Sequence, residues 1–231
     1  MITINLSYYN QSVILRQHVE CWNKYPIDVK KQFKFIIVDD CSSSSALEAL
    51  KDVKHDLDLH IYRVTQDLYC NISGARNLGA QQCTTDWMIL LDMDTLIPVV
   101  TAKAILHWAN ENAENNFVLK FNRIVPDHPG HIKNNQFHPA VCLIRLKDYW
   151  NIGGCDEDLV GHYGHTDPLF WHRSTGKISI YYARDLYLHY IPEGESDIVR
   201  DTTHNRLLFE KKKQLNDWST DHIRFDWEQM I

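Results

Sequence analysis

The chain has 231 residues, 44% of them hydrophobic, enough for one large core or for a core with a small subdomain. Asp and Glu number 30 against 24 Lys and Arg, and a net charge of -6 excludes a general electrostatic pull toward nucleic acid. No stretch approaches the roughly 18 apolar residues of a membrane span, and Met1–Asn5 does not lead into a long apolar run, so a soluble chain is expected, with peripheral membrane association left open.

Strand-like and helix-like patterns alternate through the first half, which predicts an α/β fold with a mainly parallel sheet flanked by helices in a single compact domain. Ile2 to Leu6 reads as the first strand, and Leu15, Val19 and Trp22 then share one face of a helix. Phe33 to Val38 is the second strand. It ends in Asp39-Asp40-Cys41 and four serines suited to helix capping. Leu59 to Val64 gives a third strand, Ser73 to Gln82 a helix, and Trp87 to Leu91 a buried strand. Ala102, Ile105, Leu106 and Ala109 keep helical spacing behind Pro98.

The second half is less regular. Phe117 to Phe121, Val141 to Ile144 and Ile178 to Tyr182 read as strands, and Pro126 to His138 as a long surface loop. Val199 to Trp218 reads as a polar helix docking through Leu207, Leu208, Leu215 and Trp218, with Lys211 to Lys213 as a solvated face. The expected division is a core over 1–195, with halves of about 1–97 and 98–195, and a C-terminal helical extension over 196–231. Six cysteines, at 21, 41, 70, 83, 142 and 155, have neither C-x-x-C nor zinc spacing and fit reduced thiols in a cytoplasmic protein.

Asp92-Met93-Asp94, directly behind a buried strand, carries the chemistry. In an open parallel sheet, ligands bind at the carboxyl ends of strands. Hard divalent cations such as Mg²⁺ and Mn²⁺ take carboxylates together with substrate phosphate oxygens. Tyr8-Tyr9-Asn10, Asp39-Asp40 and the segment Asn71 to Gly79 leave strands on the same edge, so one crevice could collect them all.

This ordered set continues with Gly153-Gly154-Cys155-Asp156-Glu157 and Gly164-His165-Thr166-Asp167. From Thr3 to about His189 it resembles the GT-A (Rossmann-like) glycosyltransferases, in particular the inverting family 2 enzymes. The resemblance implies that Asp40 reads the nucleobase with Asp39 beside it, that Tyr8 walls the ring, and that Arg76 lines the nucleotide pocket. It further implies that Asp92, with Met93, faces ribose or sugar, that Asp94 holds Mn²⁺ or Mg²⁺, and that His189 completes the metal site. The general base falls on Asp167 in Thr166-Asp167-Pro168-Leu169-Phe170-Trp171-His172-Arg173. Thr166 and Leu169 replace acids of the family motif there. The implied donor is a nucleotide-sugar, a UDP-sugar first, and the acceptor a carbohydrate or other hydroxyl. Trp150, Trp171, Tyr163 and His162 flank the base and could stack on a sugar or serve the core. Ile191 to Ser196 is expected to close over bound donor. Two other readings stand beside this one: a catalytically silent nucleotide-binding scaffold of the same fold, and a sugar nucleotidyltransferase, against which the first strand lacks a Gly-rich loop with a following Lys.

Overall fold

In a computed structural model, residues 1–112, 117–124, 136–192 and 198–231 are described. In chain order the first half forms β1 (Ile2–Tyr8), α1 (Ser12–Asn23), α2 (Ile27–Lys30), β2 (Phe33–Asp39), α3 (Ala46–Leu50), β3 (Leu59–Val64), α4 (Ile72–Gln82), β4 (Trp87–Leu91), β5 (Thr95–Leu96) and α5 (Val99–Glu111). Then follow β6 (Phe117–Ile124), β7 (Phe137–Arg145), α6 (Leu146–Ile152), α7 (Thr166–Ser174), β8 (Ser179–Tyr190), α8 (Thr203–Leu215) and β9 (Trp227–Gln229).

Among the described residues the strands form one sheet in the order β5-β8-β6-β7-β4-β1-β2-β3-β9. Its centre is parallel: β1 pairs with β2 and β4, and β2 with β3. The β7 strand runs antiparallel between β4 and β6, and β9 closes the far edge antiparallel to β3. The register sets Tyr8 beside Asp39 and Leu6 beside Leu91, so the segments after β1, β2 and β4 emerge together. Chain direction diverges on either side of β1, the arrangement that opens a ligand crevice at the carboxyl edge.

Both faces of the sheet are apolar because both are covered. Phe35 and Ile37 pack with Leu15, Val19 and Trp22 of α1, while the alternating residues Ile36 and Val38 pack with Ala75 and Leu78 of α4. A third cluster joins Met88, Leu90, Cys142 and Ile144 to Tyr149 and Phe170 of α6 and α7. Such two-sided burial reads in sequence as a continuous hydrophobic run, as in Phe33 to Val38. The α4 helix starts where the Asn71 side chain accepts the Gly74 N–H at 3.1 Å. It lies tight on β1 because Gly79 has no Cβ; one placed there would stand 2.0 Å from Asn5 Oδ1.

Several expectations need correction. Phe137 and His138 belong to β7 and not to a surface loop; His138 is buried by strand pairing, and residues 126–135 lie outside the described set. The α8 helix docks through the buried polar side chains Asn205 and Lys212 while Leu207 and Leu215 are exposed; of the residues expected to dock, Trp218 packs on α7 with its ring 5.5 Å from that of His172. Lys212 is thus no part of a solvated face, since Asp158 Oδ2 at 2.6 Å and Asp156 Oδ2 at 3.1 Å neutralise it. The C-terminal extension is also more than a helix, because β9 joins the sheet. Residues 193–196 of the expected closing segment, Ile191 to Ser196, lie outside the described residues.

Candidate active site

Tyr8, Asp40, Asn71, Arg76, Asp92 and Met93 line one side of a pocket at the carboxyl edge, and residues 163–167 line the other. Each side chain is fixed by its neighbours. Tyr8 is buried and its hydroxyl donates to the Ser44 carbonyl at 2.7 Å, leaving the ring against the pocket.

The two acids at the end of β2 divide in role. Asp39 Oδ1 accepts the Ser42 N–H, and Oδ2 accepts the Ala46 N–H and Arg63 Nη1, each at 2.8 Å. It therefore folds the serine loop and is absent from the pocket wall. Asp40 faces the pocket. Its Oδ2 accepts the Asn71 N–H at 3.0 Å, and its buried Oδ1 has no hydrogen-bond partner among the described residues. Burial pushes its pKa up to about 6, with the Asn71 N–H pulling the other way.

Arg76 is the organising cation. It projects from α4, 5% exposed, and its Nη2 donates to Asp92 Oδ1 at 2.7 Å while Nη1 donates to Asp167 Oδ1 at 2.6 Å. Burial opposes the charge, but Asp167 and then Asp92 outweigh it and hold the guanidinium well above its ordinary value. Burial would likewise raise Asp92; the charge of Arg76 overcomes it, so this carboxyl is lowered. A planar fork that reaches two carboxylates at once suits arginine and not lysine.

The turn after β4 is held from beneath by α1. Buried His18 donates from Nε2 to the Met93 carbonyl at 3.0 Å, and burial drops its pKa to about 4, so it acts as a neutral ring. Asp94 is met by His138, whose Nε2 lies 3.2 Å from Asp94 Oδ1. Asp92, Asp94 and His138 bring ligand-capable atoms within 4.8 Å of one another. Two carboxylates and an imidazole fit a hard or borderline divalent cation. His138 Nδ1 accepts the Ala140 and Val141 N–H groups at 3.1 and 3.0 Å, so the ring proton belongs on Nε2, pointing at Asp94. In that tautomer His138 offers no lone pair toward the cluster and steers the Asp94 carboxylate, so the carboxylate oxygens of Asp94 and Asp92 are the atoms that would hold a cation.

His189 does not join this group. It sits on β8 opposite Leu96, and because Leu188 points into the core, strand alternation turns the His189 side chain outward. No local pattern marks His138, the last residue of the segment that reads as a loop.

Asp167 occupies the first turn of α7, its side chain 27% exposed toward the pocket. Arg173, at the far end of α7, donates to the Gly153 carbonyl at 2.9 Å and the Gly154 carbonyl at 3.3 Å. A Cβ on Gly153, where φ is +102°, would strike Arg173 Nη2 at 1.8 Å. Of the aromatic candidates, Tyr163 lines the pocket. Trp171 donates its ring N–H to the Pro139 carbonyl at 2.7 Å, with buried Lys120 4.2 Å above the ring. Burial lowers Lys120 to about 8, near the charges of Asp167 and Asp92. His162 stacks on His204 at 3.6 Å, and Trp150 packs against Tyr149 and His222. No helix among the described residues is long and apolar enough to cross a membrane.

This geometry has counterparts among known proteins. The structure of Staphylococcus aureus TarS 1-349 in complex with UDP-GlcNAc aligns with a TM-score of 0.68 at 17% identity, over 84% of this chain and 59% of that one. The mannosyltransferase PcManGT from Pyrobaculum calidifontis, in complex with GDP-Man and Mn²⁺, aligns at 0.63 and 13% identity, over 94% of this chain and 65% of that one. The chain thus spans about three-fifths of the length of these neighbours, and at such identities they establish the shared GT-A fold. No curated protein matches the sequence significantly. The profile of glycosyl transferase family 2 matches residues 4–158, two-thirds of the chain and the whole Asp40–Asp94 edge, and the chain belongs to that family.

Proposed function

We propose that the protein transfers a sugar from a nucleotide-sugar donor to an acceptor hydroxyl, inverting the anomeric centre in one displacement. The observation that carries this reading is Arg76 joining Asp92 to Asp167, which sets a donor-side acid and a base candidate on two walls of one pocket. Asp167 Oδ1 is engaged by Arg76, so Oδ2 takes the acceptor proton. As the acceptor oxygen bonds to the anomeric carbon, the bond to the diphosphate breaks and its electron pair leaves with the diphosphate.

Asp40 reads the base through its unpartnered Oδ1. One free acceptor matches the single N–H on the pairing edge of uracil better than the several donors of guanine, which favours a UDP-sugar. Asp94, steered by His138 and flanked by Asp92, would hold Mn²⁺ or Mg²⁺. When bound, such an ion neutralises charge building on the departing diphosphate. The acceptor is a carbohydrate or another hydroxyl compound approaching past Tyr163 and Asp167.

The test is nucleotide release from UDP-GlcNAc and from GDP-mannose with Mn²⁺, with the product anomer read by NMR. Asp167→Asn is expected to lower kcat by about 10²- to 10⁴-fold, the range for a general base, while nucleotide binding stays within a few-fold of the wild type. An Asp167→Asn enzyme as fast as the wild type would remove Asp167 from the mechanism, and a product of retained configuration would exclude single displacement.

A further inference from the structure

The family match ends at residue 158, just before the loop that carries Tyr163 to Asp167 into the pocket. This loop has little regular structure and must turn sharply. Gly161 and Gly164 have φ of +90° and +93°, and His165, which precedes α7, has φ of +63°. Left-handed backbone at a non-glycine residue persists only where the surroundings enforce it. The enforcing group is Asn205. Fully buried near the start of α8, its Nδ2 shares two hydrogens among the carbonyls of Leu159 at 3.0 Å, His162 at 2.7 Å and Gly164 at 2.9 Å.

The helix that carries Asn205 is itself anchored. Lys212, two turns on, pairs with Asp156 and Asp158, and Ser219 N–H donates to Asp156 Oδ2 at 3.1 Å. Thr202 closes over Gly164 so tightly that a Cβ there would stand 2.8 Å from Thr202 Cγ2. The loop is pinned on its other side by the Gly161 N–H, which donates to the Cys70 carbonyl at 3.0 Å.

We propose that Asn205 is a positioning residue for Asp167: one buried amide gathers three carbonyls of the 159–164 loop and so fixes the turn from which Asp167 meets Arg76. The inference rests on the reading of Asp167 as the base. Asn205 is uncharged and does not itself line the pocket, and it acts through the loop carbonyls it holds, that of the pocket-lining Gly164 among them. A displacement of about 1 Å at a reacting group is enough to cost about 10²-fold in rate.

The experiment uses the full chain with Mn²⁺ and compares wild type, Asn205→Asp and Asn205→Ser. Nucleotide binding is measured by titration with UDP and GDP, and kcat and KM by nucleotide release from UDP-GlcNAc and GDP-mannose. Asn205→Asp keeps the shape but replaces the donor with an acceptor facing three carbonyls, and Asn205→Ser keeps one short donor. Expected is a loss in kcat of tenfold or more for Asn205→Asp and a smaller loss for Asn205→Ser, with nucleotide affinity within about threefold of wild type in both. Unchanged kcat in folded variants would overturn the proposal. So would a parallel loss of nucleotide binding, or failure of both variants to fold, because Asn205 would then support the whole domain and not the base loop. Absence of donor turnover in the wild type would instead defeat the reading of function beneath it, and the proposal with it.

Discussion

The two walls of the pocket are built by different means. The donor wall is made by strand ends, where Tyr8 closes β1 and Asp40 and Asp92 directly follow β2 and β4, and sheet register brings them together. The base wall is assembled by contacts far apart in the chain: Asn205 to Gly164, Lys212 to Asp156, and Glu157 to the Ile223 and Arg224 N–H groups at 2.7 and 3.1 Å. A wall fixed by register tolerates change in its loops, whereas a wall fixed by a few long-range polar contacts depends on each of them. Arg76 ties the two walls by ion pairs to Asp92 and Asp167.

The largest effect expected from breaking one wall without the other comes at Asp94. Asp94→Ala should lower turnover on the order of 10²-fold or more, the scale for loss of an aimed electrostatic group, with the metal requirement weakened and the fold intact by circular dichroism. Turnover that stays metal-dependent at wild-type levels would separate Asp94 from the reaction. Arg76→Lys tests the tie itself. An ammonium is a point charge that cannot engage both carboxylates in a planar fork, so kcat should fall about tenfold to 10²-fold through misplacement of Asp167. A wild-type kcat in this variant would show that the walls need no bridge.

The smallest effect sharpens the donor wall by pH. Burial holds the Asp40 carboxyl up to about 6, above the ordinary aspartate value of 3.8, so the folded chain binds more protons than the unfolded chain in between. Its contribution to stability is therefore most favourable below that window and declines as pH rises through about 6. Binding of a base N–H needs the carboxylate and runs the other way. Nucleotide affinity should weaken about tenfold from pH 7 to pH 5, as the ionised fraction of a group with a pKa near 6 falls. Asp40→Asn should flatten both dependences. A titration series in which the variant keeps the wild-type slope would place the proton elsewhere.

The same contrast explains what the sequence disclosed. The strands and the helices of the first half are marked by apolar runs and 3.6-residue spacing, and the acids of the donor wall follow directly from where those runs stop. Asp39 was legible as a strand-end acid but not as the residue that folds the serine loop, because that depends on Arg63 and Ala46 facing it in space. His138 was hidden because its strand pairs with β4 and β6 and is short of local signal. His189 had the right residue type and the wrong strand parity. Asn205 and Lys212 looked like ordinary polar positions on a polar helix, and only the loop packed against them reveals their burial.

The most direct test of the account is isothermal titration of UDP and of GDP, with and without Mn²⁺, into the wild type and Asp167→Asn. The expected result is that one nucleotide, UDP first, binds in a Mn²⁺-dependent manner and with the same affinity in both proteins, because the donor wall stands without the base. If neither nucleotide binds the wild type, or if binding disappears with Asp167, the separation of the pocket into a donor wall and a base wall is contradicted.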